Sequence, residues 1–262
     1  MRSARVLAAA LAGFAAIVGS AAFCVGAIAG TDQESLVLFH HEDHFFNSHL
    51  ETIQGTWAGV DTCDFSVPPL VLPRGRAGPI ERRQIAVDTR TCRTTVEIGT
   101  PLTTPASMSG GKSQPITNRA NEDPGGGGGG YTTRSASYEI IWYDAVEIAL
   151  DDTRANLTWK YNGSCAVFVS GSGYWWWNTG TGWNLDSGSA WRTYDGCNYE
   201  ETHASGYFSN TSFCGWRVET HVQDISIRGW YTSAQSGHIN GDISYSWTSC
   251  FPLHWHDQIS PG

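Results

Sequence analysis

The chain has 262 residues and a formal net charge of −9, with 25 acidic residues against 16 Lys and Arg. This acidic balance argues against nucleic acids and anionic membranes as partners, because both are bound by clusters of Lys and Arg and the sequence has none. Eleven of the twelve Trp and all ten Tyr follow residue 130, so the large aromatic side chains are concentrated in the second half of the chain.

Residues 1–29 have the features of an export signal. Arg2 and Arg5 precede an uncharged run that continues to Ala29, and residues 27–29 (Ala-Ile-Ala) match the small-residue pattern of a cleavage site. A retained membrane anchor is the alternative, since an uncharged stretch of this length can span a bilayer. The Ala and Gly content and the cleavage motif favour a signal peptide, so we expect a secreted, extracellular protein with no membrane contact after cleavage.

Removal of the signal takes away Cys24 and leaves six cysteines. An even number in an exported chain predicts three disulfides, and the spacings match no zinc-binding pattern. We expect Cys63 to pair with Cys92, because these are the only two cysteines before a predicted linker, and the other pairings stay open. The six cysteines are Cys63, Cys92, Cys165, Cys197, Cys214 and Cys250.

Residues 30–100 form an N-terminal segment for which the patterns predict short, mixed structure. Residues 36–39 are typical of a short strand, and a second strand-like stretch covers residues 83–87. Three apolar residues at helical spacing, namely Phe46, Leu50 and Ile53, predict a helix over residues 43–54. At about 70 residues the segment is too small to be stable alone, and we expect it to depend on the rest of the chain.

Residues 101–130 are predicted to be a flexible linker. They contain four prolines and an unbroken glycine run over residues 125–130, with almost no apolar side chains. Such a composition buries too little apolar surface to offset the entropy of ordering.

Residues 131–262 are predicted to be an aromatic-rich β domain. Apolar and polar residues alternate along one segment after another, and Asn162-Gly163 is a strong hairpin signal. We therefore predict a mainly β, antiparallel sandwich or barrel of about seven to nine strands, stapled by disulfides. One such segment alternates as follows: Trp216, Val218, Thr220 and Val222 against Arg217, Glu219, His221 and Gln223.

A run of aromatic residues between positions 174 and 183 is the most distinctive segment of this domain. In a strand Trp175 and Trp177 lie on one face and Tyr174 and Trp176 on the other. If one face enters the core, the other exposes a flat aromatic surface, which suits the stacking of a sugar ring; filling of the core by all of these rings is the alternative. The predicted ligand-binding residues are Tyr174, Trp175, Trp176, Trp177, Asn178 and Trp183.

Histidines near both ends of the chain are weak candidates for a metal site. His40 and His44 share a face of the predicted helix, and His254 and His256 share a strand face. These imidazoles suit Zn²⁺ or Cu²⁺ only if the chain ends meet in space. The spacing is not that of a metalloprotease, and nine histidines are also explained as ordinary surface residues, so we expect no metal and no cofactor.

Carboxylates of the aromatic domain are the remaining candidates for chemistry. A glycosidase needs two of them across a cleft, and Glu147 and Glu219, which alternate with apolar neighbours, are expected to face outward. No motif for nucleophilic hydrolysis is present. The acidic residues considered are Glu139, Glu147, Asp151, Asp152, Asp195, Glu200, Glu201 and Glu219.

Three segments resemble a known group of proteins. Residues 86–92 (Ala-Val-Asp-Thr-Arg-Thr-Cys), residues 99–101 (Gly-Thr-Pro) and residues 159–165 (Trp-Lys-Tyr-Asn-Gly-Ser-Cys) are similar to segments of uncharacterised secreted proteins of high-GC Gram-positive bacteria. The resemblance implies an extracellular, disulfide-bonded protein, and it implies no known activity.

Taken together, the patterns favour a non-catalytic secreted protein that binds a glycan, either polysaccharide or cell-wall polymer, through the segment from Tyr174 to Trp183. A secreted glycan-cleaving hydrolase with paired carboxylates is the first alternative. A structural or inhibitory secreted protein is the second, and it would bury its aromatic rings.

Overall fold

A computed structural model describes residues 36–39, 45–102, 110–116, 130–212, 218–246 and 252–262. These residues form antiparallel strands and one short 3-10 helix, Thr179–Thr181, which confirms the mainly β prediction. The strands are β1 (Leu36–Leu38), β2 (Phe45–Gln54), β3 (Thr56–Trp57), β4 (Thr62–Ser66), β5 (Leu70–Leu72), β6 (Ile80–Asp88), β7 (Arg93–Pro101), β8 (Lys112–Ile116), β9 (Thr132–Tyr143), β10 (Ala149–Tyr161), β11 (Ala166–Trp177), β12 (Trp183–Asp195), β13 (Tyr199–Asn210), β14 (Glu219–Trp230), β15 (Gln235–Ile239), β16 (Asp242–Ser246) and β17 (His254–Pro261).

The strands are arranged in three sheets. The largest has the order β2-β7-β6-β17-β9-β10-β11-β8, with β1 added beside β6. A five-stranded sheet has the order β12-β13-β14-β15-β5, and a three-stranded sheet has the order β16-β4-β3. Nine of the described strands follow residue 131, in agreement with the seven to nine predicted.

The nine-stranded and five-stranded sheets pack face to face, and large rings of one sheet lie against glycines of the other. A Cβ atom built on Gly229 of β14 would lie 2.5 Å from the indole ring of Trp159 of β10. The ring of Tyr138 leaves even less room at Gly237 of β15. Glycine is therefore required at these positions because the backbone of one sheet touches an aromatic ring of the other.

The segments before and after residue 130 form one structural unit. β6 lies beside the C-terminal strand β17, and a fully buried ion pair joins them, with Nε and Nη2 of Arg82 lying 2.9 and 2.8 Å from the two carboxylate oxygens of Asp257. Tyr138 donates a hydrogen bond to Asp257 (2.7 Å), and Arg82 donates to the carbonyl of Pro68 (2.8 Å). Both buried charges are thus paired and hydrogen-bonded, as burial requires.

The predicted helix over residues 43–54 is wrong, because the described part of this range is strand β2. Phe46 and Leu50, four residues apart, fit the period of a strand as well as that of a helix. The pairing of β2 with β7 shifts register between Phe46 and His49. Apolar and polar residues therefore do not alternate strictly along β2, and the sequence does not show the strand. The short N-terminal segment is accordingly built from strands in its described parts.

The linker prediction is wrong for residues 112–116, which form β8 and pair with residues 171–175 of β11. Of residues 101–130, positions 103–109 and 117–129 lie outside the described residues. The predicted signal peptide, residues 1–29, also lies outside them.

Two disulfides are present among the described cysteines. Cys63 pairs with Cys92, as predicted, and Cys165 pairs with Cys197. Cys214 and Cys250 lie outside the described residues. Within the described ranges, the structure has no helix that is long and apolar enough to cross a membrane.

Candidate functional site

The aromatic segment that was predicted to bind a ligand runs from the end of β11 to the start of β12. Trp175 and Trp183 are only 2% and 0% exposed. Trp175 lies against Gly188 and Gly206 of the five-stranded sheet. These two rings fill the core, so the prediction that they belong to an exposed ligand surface is corrected.

The other rings of the segment are partly exposed, but protein cations already lie on two of them, Tyr174 and Trp177. The guanidinium of Arg154 is 5.4 Å from the ring centroid of Tyr174, and Nζ of Lys112 is 5.5 Å from that of Trp177. Trp176 pairs with Asp152 across the two strands. Asn178 uses its side-chain amide to donate a hydrogen bond to the carbonyl of Ala149 (3.1 Å). A sugar ring would therefore have to compete with these cations for the faces of Tyr174 and Trp177.

Behind Trp183 lies a buried polar group of three side chains, Asp151, His221 and Gln223. Nδ1 of His221 lies 2.7 Å from one carboxylate oxygen of Asp151, and the amide of Gln223 donates a hydrogen bond to the other. Burial raises the pKa of Asp151, while the charge and hydrogen bond of His221 and the hydrogen bond of Gln223 oppose that shift. In a neutral His221 whose Nδ1–H donates to Asp151, Nε2 is a hydrogen-bond acceptor.

Two tryptophans fix the plane of the His221 ring. Its centroid is 4.6 Å from that of Trp142 and 4.3 Å from that of Trp183, and both indoles are nearly parallel to it. Two rings can stack on one imidazole in this way only from opposite faces. The imidazole is therefore held rigidly between the indoles. The hydrogen bond between its Nδ1 and Asp151 fixes the orientation of the ring within that plane.

A cavity of about 310 Å³ opens beside this group, where β14 extends beyond the end of β15. Such a volume is at the small end of the range for ligand pockets. Its walls combine the ring of Trp142 with aliphatic side chains and with polar residues from β14 and β16. The lining residues used below are Trp142, Glu219, His221, Gln223, Asp224, Asn240, Asp242 and Tyr245.

Three polar atoms on residues that line the cavity are buried without a hydrogen-bond partner among the described residues. They are Nε2 of His221, Oε1 of Gln223 and the phenol oxygen of Tyr245. Burial raises the pKa of Tyr245, so its hydroxyl is protonated and can both donate and accept. Buried polar groups are rarely left unpaired, so three on residues around one cavity mark this region as a candidate polar binding site.

The rim of the cavity is acidic. Asp224, Asp242 and Glu219 all line it, and no Lys or Arg is found among the described lining residues. The side-chain amide of Asn240 donates to Asp224 (3.1 Å), and its backbone N–H donates to the carbonyl of the same residue (2.7 Å). These acceptors favour ligands that donate hydrogen bonds and disfavour anions.

The sequence prediction missed this site because it assigned the wrong face of β14 to the core. Val218 and Val222 are 61% and 71% exposed, whereas His221 and Gln223 are 6% and 2% exposed. Glu219, which was expected to face outward, lines the cavity with them. Ile225 and Ile227 follow His221 and Gln223 at intervals of two residues and are fully buried. These two isoleucines were the sequence signal that His221 and Gln223 share the buried face of β14.

The two C-terminal histidines do share one strand face, as predicted. The imidazole centroids of His254 and His256 are 5.1 Å apart, and Glu147 approaches both rings. Among the described N-terminal residues, Phe39 reaches this place, and its ring stacks on His254 at 4.7 Å. The other candidates, His40 and His44, lie outside the described residues.

The remaining carboxylates are engaged with cations or polar groups. Glu139 and Asp152 share Arg154, whose Nη2 lies 3.7 Å from Asp152, and burial raises the pKa of both acids. Neither lines the 310 Å³ cavity. Glu200 pairs with Arg192, and Glu201 pairs with Arg228.

Comparisons with protein-family models, with curated proteins and with solved structures find no match for this chain.

Proposed function

We propose that the protein is an extracellular, non-catalytic glycan-binding protein that holds one uncharged sugar unit in the cavity beside His221. The observation that carries the proposal is the set of three unpartnered polar atoms on His221, Gln223 and Tyr245 at one cavity. A sugar supplies several hydroxyl groups in a small volume, and each hydroxyl both donates and accepts hydrogen bonds. Because these atoms are buried, a sugar in the cavity pairs with them once the three side chains turn toward it.

The rest of the lining supports the same class of ligand. The ring of Trp142 and the neighbouring aliphatic residues offer apolar surface for sugar C–H groups. Carboxylates at the rim accept hydrogen bonds from hydroxyls and repel phosphate, sulfate and uronate groups. A neutral polysaccharide or cell-wall glycan is therefore favoured over an acidic one.

An extracellular location is supported by the two disulfides, since such bonds form and persist mainly in oxidising compartments. The export signal predicted for residues 1–29 points to the same location.

The test removes one hydroxyl from the cavity. Because the phenol oxygen of Tyr245 has no partner among the described residues, Tyr245→Phe should leave the fold intact and weaken glycan binding about fivefold, the value of one hydrogen bond. Binding is measured by retention on cellulose, chitin, xylan and peptidoglycan, then by calorimetry with soluble fragments of the glycan retained. Tyr207→Phe, on the exposed outer face of the five-stranded sheet, is the matched control. Equal loss in both variants, or no retention of the wild type on any glycan, would contradict the proposal.

A glycan-cleaving hydrolase is the second candidate, and the pairing of His221 with Asp151 favours it. A carboxylate that orients an imidazole with a free Nε2 is an arrangement for general-base catalysis, and acids at the rim of the same cavity can supply a proton. Release of new reducing ends from the bound glycan, lost in His221→Gln, would support this candidate. Stable binding without product supports the non-catalytic function.

A further inference from the structure

On the opposite face of the nine-stranded sheet, three side chains bring metal-binding atoms together. Nε2 of His254 lies 3.0 Å from one carboxylate oxygen of Glu147, and Nε2 of His256 lies 4.0 Å from the other. One ligand atom from each of the three residues lies within 4.8 Å of the other two. This group is separate from the cavity beside His221, because none of its members lines that cavity.

From this arrangement we propose that Glu147, His254 and His256 form a zinc site. Two imidazoles and one carboxylate are a known ligand set for Zn²⁺ when three protein ligands leave one position open. Ligand atoms on a tetrahedral Zn²⁺ with bonds of about 2.0–2.1 Å are about 3.3–3.4 Å apart. The observed separations of 3.0 and 4.0 Å bracket that value, and the ligand atoms of all three residues lie within 4.8 Å of one another.

The backbone holds Glu147 at the histidines in an uncommon conformation. Glu147 lies in the turn between β9 and β10 with φ of 63°. Residues other than Gly and Asn rarely adopt this left-handed backbone conformation. The carboxylate of Asp144 accepts hydrogen bonds from the backbone N–H of Val146 (3.0 Å) and of Ile148 (2.9 Å), and so fixes the turn. A strained glutamate held in place by its surroundings is typical of a functional position.

The surroundings of the histidines orient both rings. The ring of Tyr143 lies 4.2 Å from that of His256 and 5.7 Å from that of His254. The ring of Phe39 stacks on His254. Nδ1 of His256 lies 3.6 Å from a carboxylate oxygen of Glu81, which also pairs with Arg83 at 2.7 Å. The distance of 3.6 Å is longer than a hydrogen bond, so the carboxylate of Glu81 places negative charge near the His256 ring without a hydrogen bond to Nδ1. His254 is fully buried, whereas the side chain of Glu147 is 22% exposed, so Zn²⁺ would enter past Glu147.

The test measures zinc binding by the full chain carrying no histidine tag. After treatment with EDTA, we expect one Zn²⁺ per chain by calorimetry. Glu147→Gln and, separately, His256→Gln should each weaken binding at least tenfold. The control is Glu51→Gln, which removes the carboxylate of an exposed His49–Glu51 pair (2.9 Å) on β2 and should leave zinc binding unchanged. Circular dichroism checks that each variant is folded.

The wild-type protein supplies a second readout. On addition of Zn²⁺, the Nε2 NMR resonances of His254 and His256 should shift, while those of His203, His221 and His238 should not. The proposal is overturned if the wild type binds no Zn²⁺, if folded Glu147→Gln binds it as tightly as wild type, or if the shifts fall on other histidines. Glycan retention is tested with and without EDTA, so the zinc site and the glycan cavity are judged independently.

Discussion

The carboxylate of Glu201 is the centre of a hydrogen-bond network on the outer face of the five-stranded sheet. It accepts hydrogen bonds from Thr193 (2.9 Å) and Ser226 (2.8 Å), and Nη2 of Arg228 lies 3.2 Å from each of its oxygens. Burial by itself would raise the pKa of Glu201. Hydrogen bonds from His203 and Ser226 and the charge of Arg228 outweigh burial and lower that pKa to about 2.

This shift predicts an acid-dependent part of the stability. A carboxyl with an ordinary pKa of 4.5 when unfolded and about 2 when folded stabilises the native state above pH 4.5, and the contribution is lost as pH falls toward 2. Glu201→Gln should therefore unfold more easily than wild type near neutral pH, with a difference that shrinks on acidification. Urea unfolding at a series of pH values measures it. A difference that stays constant between about pH 6 and pH 2.5 would contradict the prediction.

At the scale of the element, the contact between β10 and β14 sets the spacing of the sheets. Gly229→Ala would place a methyl group 2.5 Å from the rigid indole of Trp159, whose Nε1 also donates to the carbonyl of Trp230 (3.2 Å). The ring and the backbone must then move apart, and we expect a loss of about 1–3 kcal/mol in the free energy of unfolding. Chemical denaturation measures it. Gly78→Ala is the control, because no atom lies within 4 Å of its added Cβ, and an equal loss there would refute this explanation.

The alternation of apolar and polar residues predicts the strands of the aromatic domain well, but it does not predict which face of each strand is buried. Trp159 alternates with polar neighbours in β10, and it is buried as expected. In β14 the same rule places Val222 inside, whereas the structure places His221 inside, because Trp142 and Trp183 sandwich the imidazole and Asp151 binds it. These partners come from distant strands, so no local pattern reveals them.

The three residues of the proposed zinc site were predictable only in part for a related reason. The two-residue spacing of His254 and His256 predicts a shared face, and the pairing of β17 with β9 confirms it. Glu147 was expected to point outward from a strand. Its approach to the histidines depends on the turn fixed by Asp144 and on the register between β9 and β17, and neither can be derived from the residues around position 147.

At the scale of the whole molecule, the Cys165–Cys197 disulfide joins the turn before β11 to the turn between β12 and β13, and so links the two packed sheets. The cysteines are 32 residues apart. Replacing both by Ala should lower the free energy of unfolding by about 3–4 kcal/mol, because the unfolded chain regains the entropy of that loop. Thermal denaturation measures the loss. Replacing Cys63 and Cys92, 29 residues apart, should cost a similar amount, and a negligible effect of both pairs would contradict the expectation.

The position of β17 has a consequence for the order of folding. This strand is the last of the described chain, yet it lies in the interior of the nine-stranded sheet, where β6 and β9 flank it. Until residues 254–261 have been synthesised, β6 with its neighbours and β9 with its neighbours lack the strand that joins them in this sheet. Each half then presents an open edge at which other chains can add. Biosynthesis of this protein therefore has to protect two incomplete parts of the nine-stranded sheet until β17 is made, and this sheet can close only after that strand is available.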